Sequence, residues 1–441
     1  MSDKSLRLGN LSPIRIHTPS GSCDISSVVT NIEVLESLFT PFIIGKIVVH
    51  DTESMRFLKQ TKMSSDLVGR IEFSFAGLED DGETPQKEIV ISKDEYYVYK
   101  ILQSEVLGFS SQVHEIYFCH RSFFRNETTN VSRSYKKKKV SEIVEDLGER
   151  LHLKWNMLEK TEKTFNFVLP NRTIAAQINF LAPYARRKEN PEDVNYLFFQ
   201  DLSGKHNFVS AGKLLGQEPS FGTSVSDGYA YGINRGTDFA SARRAAVSHR
   251  AYEQCQFKNA INGMHSSAVM SIDPGEKVWS ATTFFLPDQW KKGTHLSNKP
   301  IVEENSEFYS MVNGAFSQRF YMKARHSHCC KEQKNGNSKI GGPDDWLLKR
   351  ISQMEQLQQS IIEFTVTGNS DLHRIGVGKV IYFGRPLLNT SVNTSPLDKD
   401  LASSGKYIIL STAHIISRTL AGKLEYTTTF KCGKDSYGEE H

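Results

Sequence analysis

The chain has 441 residues and a mass of 49.9 kDa, room for about three domains at roughly 150 residues each. Hydrophobic residues make up 38% and charged residues 24%, and 26 Phe with 16 Tyr supply core material, which excludes wholesale disorder. The net charge of +4, from 54 basic against 50 acidic residues, gives no global reason to expect nucleic acid or a membrane surface as the main partner.

The first stretch reads as β. Phe42–Val49 is a nearly continuous apolar run with Gly45 inside it, the pattern of a buried or bulged strand. Arg70–Phe75 alternates strictly, with Ile71, Phe73 and Phe75 on one face and Arg70, Glu72 and Ser74 on the other, the period of a half-buried strand. Glu79–Glu83 with Pro85 marks a polar loop, and Glu95–Leu102 and Val113–Cys119 are further strands rich in Tyr, Val and Ile. Residues 1–119 therefore read as an antiparallel sheet or barrel, with room for one helix near Ser54–Thr61.

The texture changes near residue 120. After the run Lys136–Lys139, apolar residues at 140, 143, 144, 147 and 151 follow helical spacing, with Ser141 as the expected N-cap and Glu142 and Glu145 suiting the helix dipole. A second helix is predicted over Thr173–Arg187, kinked or ended early by Pro183. Tyr196–Val209 reads as two strands around a turn at Ser203–Gly204. Residues 120–215 thus form a mixed α/β unit, and from 216 to 340 the signal is weak. Lys331–Gly342 reads as an exposed loop. Asp344 and Asp345 are expected to cap a helix running to Leu357, with Leu347, Leu348, Ile351 and Met354 as its apolar stripe. The chain closes on strands at Ile361–Thr367, Val377–Phe383, Lys406–Ser411 and Leu424–Cys432, with the polar connection Pro386–Ser404 between two of them.

The six cysteines, at 23, 119, 255, 329, 330 and 432, are too few and too scattered for a disulfide framework and read as reduced thiols. Residues 1–17 lack the apolar core of a signal peptide, and no apolar run approaches the roughly 20 residues of a membrane span. The expectation is a soluble, unsecreted, multidomain protein, in which the Asn-x-Ser/Thr triplets at Asn126, Asn130, Asn171, Asn389 and Asn393 carry little meaning.

Chemistry-bearing motifs are absent: no phosphate-binding glycine loop, zinc-protease helix, serine-nucleophile elbow, calcium loop or dinucleotide fingerprint occurs. One cluster, His326, His328, Cys329 and Cys330, offers imidazole and thiolate ligands. Adjacent cysteines seldom both reach one ion, and no second Cys/His pair follows, so the simpler reading is a strand or loop with buried thiols and exposed imidazoles. Lys136–Lys139 reads as a solvated face or a lumenal stripe before a phosphate or nucleic-acid contact. Arg186–Lys188 and Arg243–Arg244 read as surface, and Tyr96, Tyr97 and Tyr99 as a packed sheet face. No catalytic, cofactor-binding or metal-binding residue is assigned.

Several blocks, taken in order, resemble the central hub protein of contractile bacteriophage tail baseplates, and more distantly the hub part of type VI secretion spikes. They are Leu38–Pro41 with Gly45–Asp51, Tyr135–Val144, Tyr196–Lys205 with Phe208, Thr367–Gly378, and Ser404–Ile409 with His414 and Lys431–Ser436. Residues 257–343 resemble the family poorly. The resemblance implies an α+β, β-rich fold: two tail-tube-like antiparallel β-barrel domains, a mixed α/β middle domain and an insertion. The expected divisions are 1–119 for the first barrel, 120–215 for the middle domain, 216–256 with 345–436 for the second barrel, 257–344 for the insertion, and 437–441 as a tail.

It further implies a structural, non-enzymatic virion component of the tail baseplate, assembled in the host cytoplasm. Such a subunit forms a homotrimeric ring whose six tube-like domains adapt a sixfold tail tube to a threefold spike. Its implied partners are the spike below, the tube or tube-initiator above, the tape-measure protein and the baseplate wedge, with transient passage of DNA and no membrane insertion. In such a ring, strands such as Arg70–Phe75 or Leu424–Cys432 are the ones expected to continue across chains. Two other readings are a tail-associated cell-wall hydrolase, which needs a paired acid/base site that no local motif supplies, and a metal-binding module built on His326, His328, Cys329 and Cys330.

Overall fold

A computed structural model describes residues 7–19, 21–51, 69–106, 111–224, 227–231, 239–253, 256–275, 277–300, 319–324, 331–332, 339–340, 342–385, 404–419 and 421–437. Ser54–Thr61, His326–Cys330 and the connection 386–403 lie outside the described residues.

The molecule is built on antiparallel strands. Its central feature is a row of eight: Ser248–Glu253, Ser360–Thr367, Leu424–Lys434, Gly405–Arg418, Val29–Ser37, Ile44–Asp51, Gln112–His120 and Tyr96–Val106, each hydrogen-bonded to the next. N-terminal and C-terminal strands are joined inside this row. Ser411–Ser417 pairs with Asn31–Ser37, so the two β-rich ends of the chain share one ladder. Among the described residues no ladder closes on itself, and the sheet runs on through Arg70–Ala76 and Arg15–Thr18 to Gly21–Asp24. What joins the two ends is the length of Gly405–Arg418. It continues seven residues past the predicted end at Ser411 with its alternation intact, and so presents a full second edge to Val29–Ser37.

Each end of the row buries one face. Ile32, Val34, Ile47, Val49, Ile116 and Phe118 pack against Ile71, Phe73, Phe75, Ile89 and Ile91, which fold over them. Gly45 is required here, because a Cβ would lie 2.1 Å from the Phe118 ring. At the other end Ile362, Phe364, Val366, Phe430 and Cys432 pack against Phe221, Tyr229, Val380, Ile381 and Phe383. Each such side chain contributes about 1.5–3 kcal/mol by leaving water.

The middle of the chain follows its periodicity. The helix Val140–Arg150 buries Val140, Ile143, Val144 and Leu147, as its spacing predicts. Its N-cap is Lys139, not Ser141: the Lys139 N–H donates to Glu142 Oε2 (3.0 Å), while Ser141 exchanges hydrogen bonds with Thr161. The second helix, Ile174–Leu181, gives way at Pro183 to a single tight turn, Ala182–Tyr184, and ends well before Arg187. Tyr196–Gln200 and His206–Ser210 are buried on both faces. Tyr196, Phe198 and Phe208 meet the helices, and Leu197, Phe199 and Val209 join the C-terminal core.

The weak-signal region holds a hairpin, Ser266–Asp273 with Val278–Phe285, extended in parallel by Arg319–Ala324. The predicted loop at 331–342 contains a two-residue ladder, Lys331–Glu332 with Lys339–Ile340. The helix Pro343–Leu357 has Gly342 as its N-cap, so Asp344 and Asp345 fall in the first turn instead of capping it. Leu347 and Leu348 pack on the hairpin.

Candidate functional site

One face of the eight-strand row carries the apolar core, and the other mixes polar residues with a few apolar ones, Leu35, Leu102 and Ile415 among them. Reading across its register, Arg250 lies opposite Glu363, which lies opposite Lys431. Thr365 and Thr429 follow, with hydroxyls 2.9 Å apart. Beyond them come Ser411, Ala413, Ile415 and Ser417, then Glu33 opposite Lys46. Lys46 reaches Glu115 at 3.6 Å, Tyr117 donates its hydroxyl hydrogen to Glu115 at 2.7 Å, and Lys100 lies over the Tyr117 ring. Strand alternation forces these side chains to one side. Cross-strand neighbours of opposite sign leave no sustained charge among the described residues of this face, which also carries the exposed Leu35 and Leu102.

Glu36 departs from that pattern. It stands on the core side of its strand with Ile32 and Val34, and is 2% exposed. Its Oε2 accepts the Leu202 N–H (3.0 Å) and its Oε1 the Val377 N–H (3.1 Å), so one carboxyl ties the N-terminal strands, the middle hairpin and the C-terminal segment together. Burial, with the nearby Asp201 charge, pushes its pKa up to about 8 against the two amide hydrogen bonds. Alternation around Ile32 and Val34 is the sequence signal that could have singled it out.

The block Thr367–Gly378, one of those that carry the resemblance, forms the rest of this seam. The Ser370 N–H donates to Gln86 Oε1 (2.8 Å), its hydroxyl to the Lys87 carbonyl (2.9 Å), and its oxygen accepts the Gly77 N–H (3.1 Å). Asn369 Nδ2 donates to the Tyr229 hydroxyl. Gly368 has no room for a side chain, since a Cβ would lie 1.9 Å from the Tyr426 ring. A cavity of about 470 Å³ opens beside the seam, lined by Lys87, Glu88, Asp201, Lys205, Asn207 and Lys379 among others, with Glu36 in its wall.

The fold redistributes other residues that stand out in the sequence. Arg186 and Arg243, which read as surface, are buried at 2% and 4% exposure. Arg186 donates to the carbonyls of Pro183 and Ala185 and pairs with Asp345 at 3.0 Å. Arg243 donates to the Leu78 carbonyl and pairs with Asp80 at 3.1 Å. Arg187 is held between Glu159, Glu189 and Asp193. These guanidiniums are held because fixed carbonyls and carboxylates meet their donors, and for Arg186 and Arg243 the partners Asp345, Leu78 and Asp80 come from distant segments, which no local charge count can show. Lys136–Lys138 are exposed, on the two-stranded ladder Asn130–Lys139 with Thr164–Thr173 and away from the eight-strand row. Tyr96 is buried in the core, whereas Tyr97 and Tyr99 pack edgewise and tilted on Phe124 and Phe123. The cluster His326, His328, Cys329 and Cys330 lies outside the described residues.

Leu424–Lys434 is flanked on both sides by this chain's own strands, so the expectation that it continues into a neighbour is corrected. Arg70–Ala76 is likewise flanked, by Arg15–Thr18 and Asn10–Leu11 on one side and by Ile89–Ile91 and Tyr96–Val106 on the other. Among the described residues, the open edges of the eight-strand row are Ser248–Glu253 and the stretch of Tyr96–Val106 beyond its single bridge at Tyr97.

No family model matches the chain, and no curated protein matches its sequence. Solved structures do match. The 43 kDa tail protein of prophage MuSo2 from Shewanella oneidensis aligns over 97% of this chain and 99% of its own, at 9% identity and a TM-score of 0.52. A tail protein from Neisseria meningitidis aligns over 96% of both chains at 8% identity and a TM-score of 0.47. An Escherichia coli component of the type VI secretion system aligns over 94% of this chain and 76% of its own, at 11% identity and a TM-score of 0.42. The chain therefore has the α+β, β-rich fold of the prophage tail protein.

Proposed function

We propose that the chain is a structural subunit of a phage-type tail baseplate, the hub, which assembles as a homotrimeric ring. The observation that carries this is the eight-strand row: two β-rich ends of one chain joined through a shared ladder, with open edges left at either end. Three copies joined edge to edge close a ring of six such half-rows, and that ring accommodates a sixfold tube on one side and a threefold spike on the other. Residues 1–119 and 216–256 with 345–436 are its tube-like domains, 120–215 the middle domain, 257–344 the insertion and 437–441 the tail.

The face of the row away from the core lines the channel in this reading. A polyanion such as DNA slides along a surface whose described lysines and arginines stand beside carboxylates in the ladder, Arg250 and Lys431 flanking Glu363 and Lys46 beside Glu33 and Glu115. The tape-measure protein passes the same face, and the spike, the tube or tube-initiator and the wedge contact the ring from outside. The role is structural and places the chain in the virion, after assembly in the host cytoplasm.

Light scattering after size exclusion tests the proposal. The expected species has about 150 kDa, three copies of 49.9 kDa, alone or with the spike protein of the same source. A chain that stays monomeric under both conditions removes the hub reading.

A further inference from the structure

We propose that the exposed face of the small three-stranded sheet binds the same face of a second copy of the chain. In this sheet Ser266–Asp273 lies in the middle, with Val278–Phe285 on one side and Arg319–Ala324 on the other. Val269, Phe284 and Tyr321 point to the helix Pro343–Leu357, where they pack with Leu347 and Leu348. Strand alternation sends their neighbours to the opposite face. That face has three rungs: Thr283, Ala268 and Phe320; Ala281, Met270 and Met322; Trp279, Ile272 and Ala324.

Thr283 is the one polar member of this array, yet Trp279 is 62% exposed, Met322 62% and Phe320 54%, with Met270 and Ile272 half-buried between them. At about 150–250 Å² for a large side chain, these three alone leave roughly 300–400 Å² of apolar surface in water. That is the scale of a binding patch, not of scattered surface residues.

The placing of large and small residues selects a second copy as the occupant. In each rung one outer strand carries a large side chain and the other a small one, and the large one changes strand between the second rung and the third. A twofold axis along the middle strand exchanges the outer strands and keeps the rungs level. It sets Phe320 against Thr283 of the second copy, Met322 against its Ala281 and Trp279 against its Ala324. Ala268, Met270 and Ile272 meet their own equivalents near the axis. Each large outer residue thus enters the space left by a small one, with the two sheets stacked about 10 Å apart. A flat foreign surface would leave gaps over Ala281, Thr283 and Ala324 and forfeit those contacts. The contact is isologous and uses neither open edge of the eight-strand row, so it joins whole rings or single chains alike. The patch is smaller than the roughly 800 Å² that each partner gives to a standard interface, so the association is weak and emerges as concentration rises.

Light scattering of the full-length chain, followed from micromolar to millimolar concentration, tests this. The mass is expected to double, to about 100 kDa where the dilute species is one chain and about 300 kDa where it is the ring. Trp279→Lys/Met322→Lys abolishes the doubling and leaves the dilute species unchanged. Val168→Lys, at an apolar site 77% exposed on the ladder Asn130–Lys139 with Thr164–Thr173, has no effect. Ala281→Trp adds apolar surface but fills the space that Met322 of the second copy needs, so it also abolishes the doubling, whereas a merely sticky face would associate more. Circular dichroism checks that the variants fold, and Phe320→Ser with Ala281→Trp carries the comparison should the double lysine variant unfold. Benzoylphenylalanine at Phe320 locates the contact in a mixture of isotope-labelled and unlabelled chains, where mixed-isotope links to the residues around Thr283 are expected. A constant mass, a doubling that survives Trp279→Lys/Met322→Lys or grows with Ala281→Trp, or links from Phe320 to its own chain or to another part of the second copy overturn the proposal. Loss of the dilute ring in the double lysine variant also overturns it, by assigning this face to the ring's own joints. A dilute species of one chain counts against the ring alone, so the two proposals fail separately.

Discussion

Glu36 concentrates much of the seam's energetics in one carboxyl. Its two oxygens satisfy the amides of Leu202 and Val377, both buried residues. Glu36→Ala strands both donors, and a loss of about 2–4 kcal/mol is expected in chemical denaturation. Glu36→Gln keeps one acceptor and turns an NH₂ against the other amide, so its loss is smaller but real. The pH dependence has a definite sign. Because the carboxyl rises from its ordinary value of 4.5 to about 8 in the fold, the folded chain holds this proton more tightly than the unfolded one. Its contribution is fully present below pH 4.5 and is lost as pH rises through 8. Denaturation midpoints compared at pH 6 and pH 9 should therefore fall for the wild type by more than for Glu36→Gln. Equal falls would show that Glu36 does not titrate in this window.

At the level of elements, the strand Ser248–Glu253 decides whether the row can continue into another copy. It pairs on one side with Ser360–Thr367, and its other side is open among the described residues. Adjacent strand residues point their N–H groups to opposite sides, so of Arg250→Pro and Ala251→Pro one removes an internal ladder bond and the other an outward donor. One variant should lose stability. The other should keep a native circular dichroism spectrum and run as a monomer by light scattering, and a folded variant that still trimerises would rule this edge out of the ring. The strand is hard to place from sequence, and the reason is physical. Period-2 and period-3.6 patterns are legible where one face is apolar and the other is wet, as in Arg70–Ala76 and Val140–Arg150. They fail where polar groups are buried with partners. Ser271 and Ser280 lie inside the hairpin Ser266–Phe285, their hydroxyls 2.8 Å apart and Ser280 donating to Asp344, so its alternation is disguised. Arg186 and Arg243 look like surface residues for the same reason: their partners Asp345 and Leu78 are more than 150 residues away in sequence. The Thr367–Gly378 block stands out by resemblance, but its role as a seam rests on Gln86, Lys87 and Gly77, which nothing local connects to it.

For the whole molecule, the joints between segments also set an acid limit. His120 and His206 lie between the N-terminal strands and the middle hairpin, their rings 6.2 Å apart among Phe42, Trp155 and Phe198. His414 stands where the two ends of the chain meet, its Nδ1 2.6 Å from the Tyr426 hydroxyl and its ring against Phe75. Burial lowers all three from 6.5, to about 4 for His120 and about 3 for His206 and His414, with His120 reinforcing the shift of His206. These groups are neutral in the fold and become charged in the unfolded chain first. Their contribution is therefore whole above pH 6.5, falls as pH drops below it, and stops falling only near the folded values. Each histidine removes up to about 1.4 kcal/mol per pH unit in that window. Glu36 acts in the opposite direction over a range that reaches pH 8, so the two sets together place maximal stability near neutrality, with the steeper slope on the acid side. Thermal unfolding followed from pH 7 to pH 4.5 should show Tm dropping continuously, and His206→Phe, which keeps the aromatic packing without the titration, should make that drop shallower. A wild-type Tm that is flat across this range, or a His206→Phe slope as steep as the wild type's, would mean that the buried imidazoles are not what limits the assembly in acid.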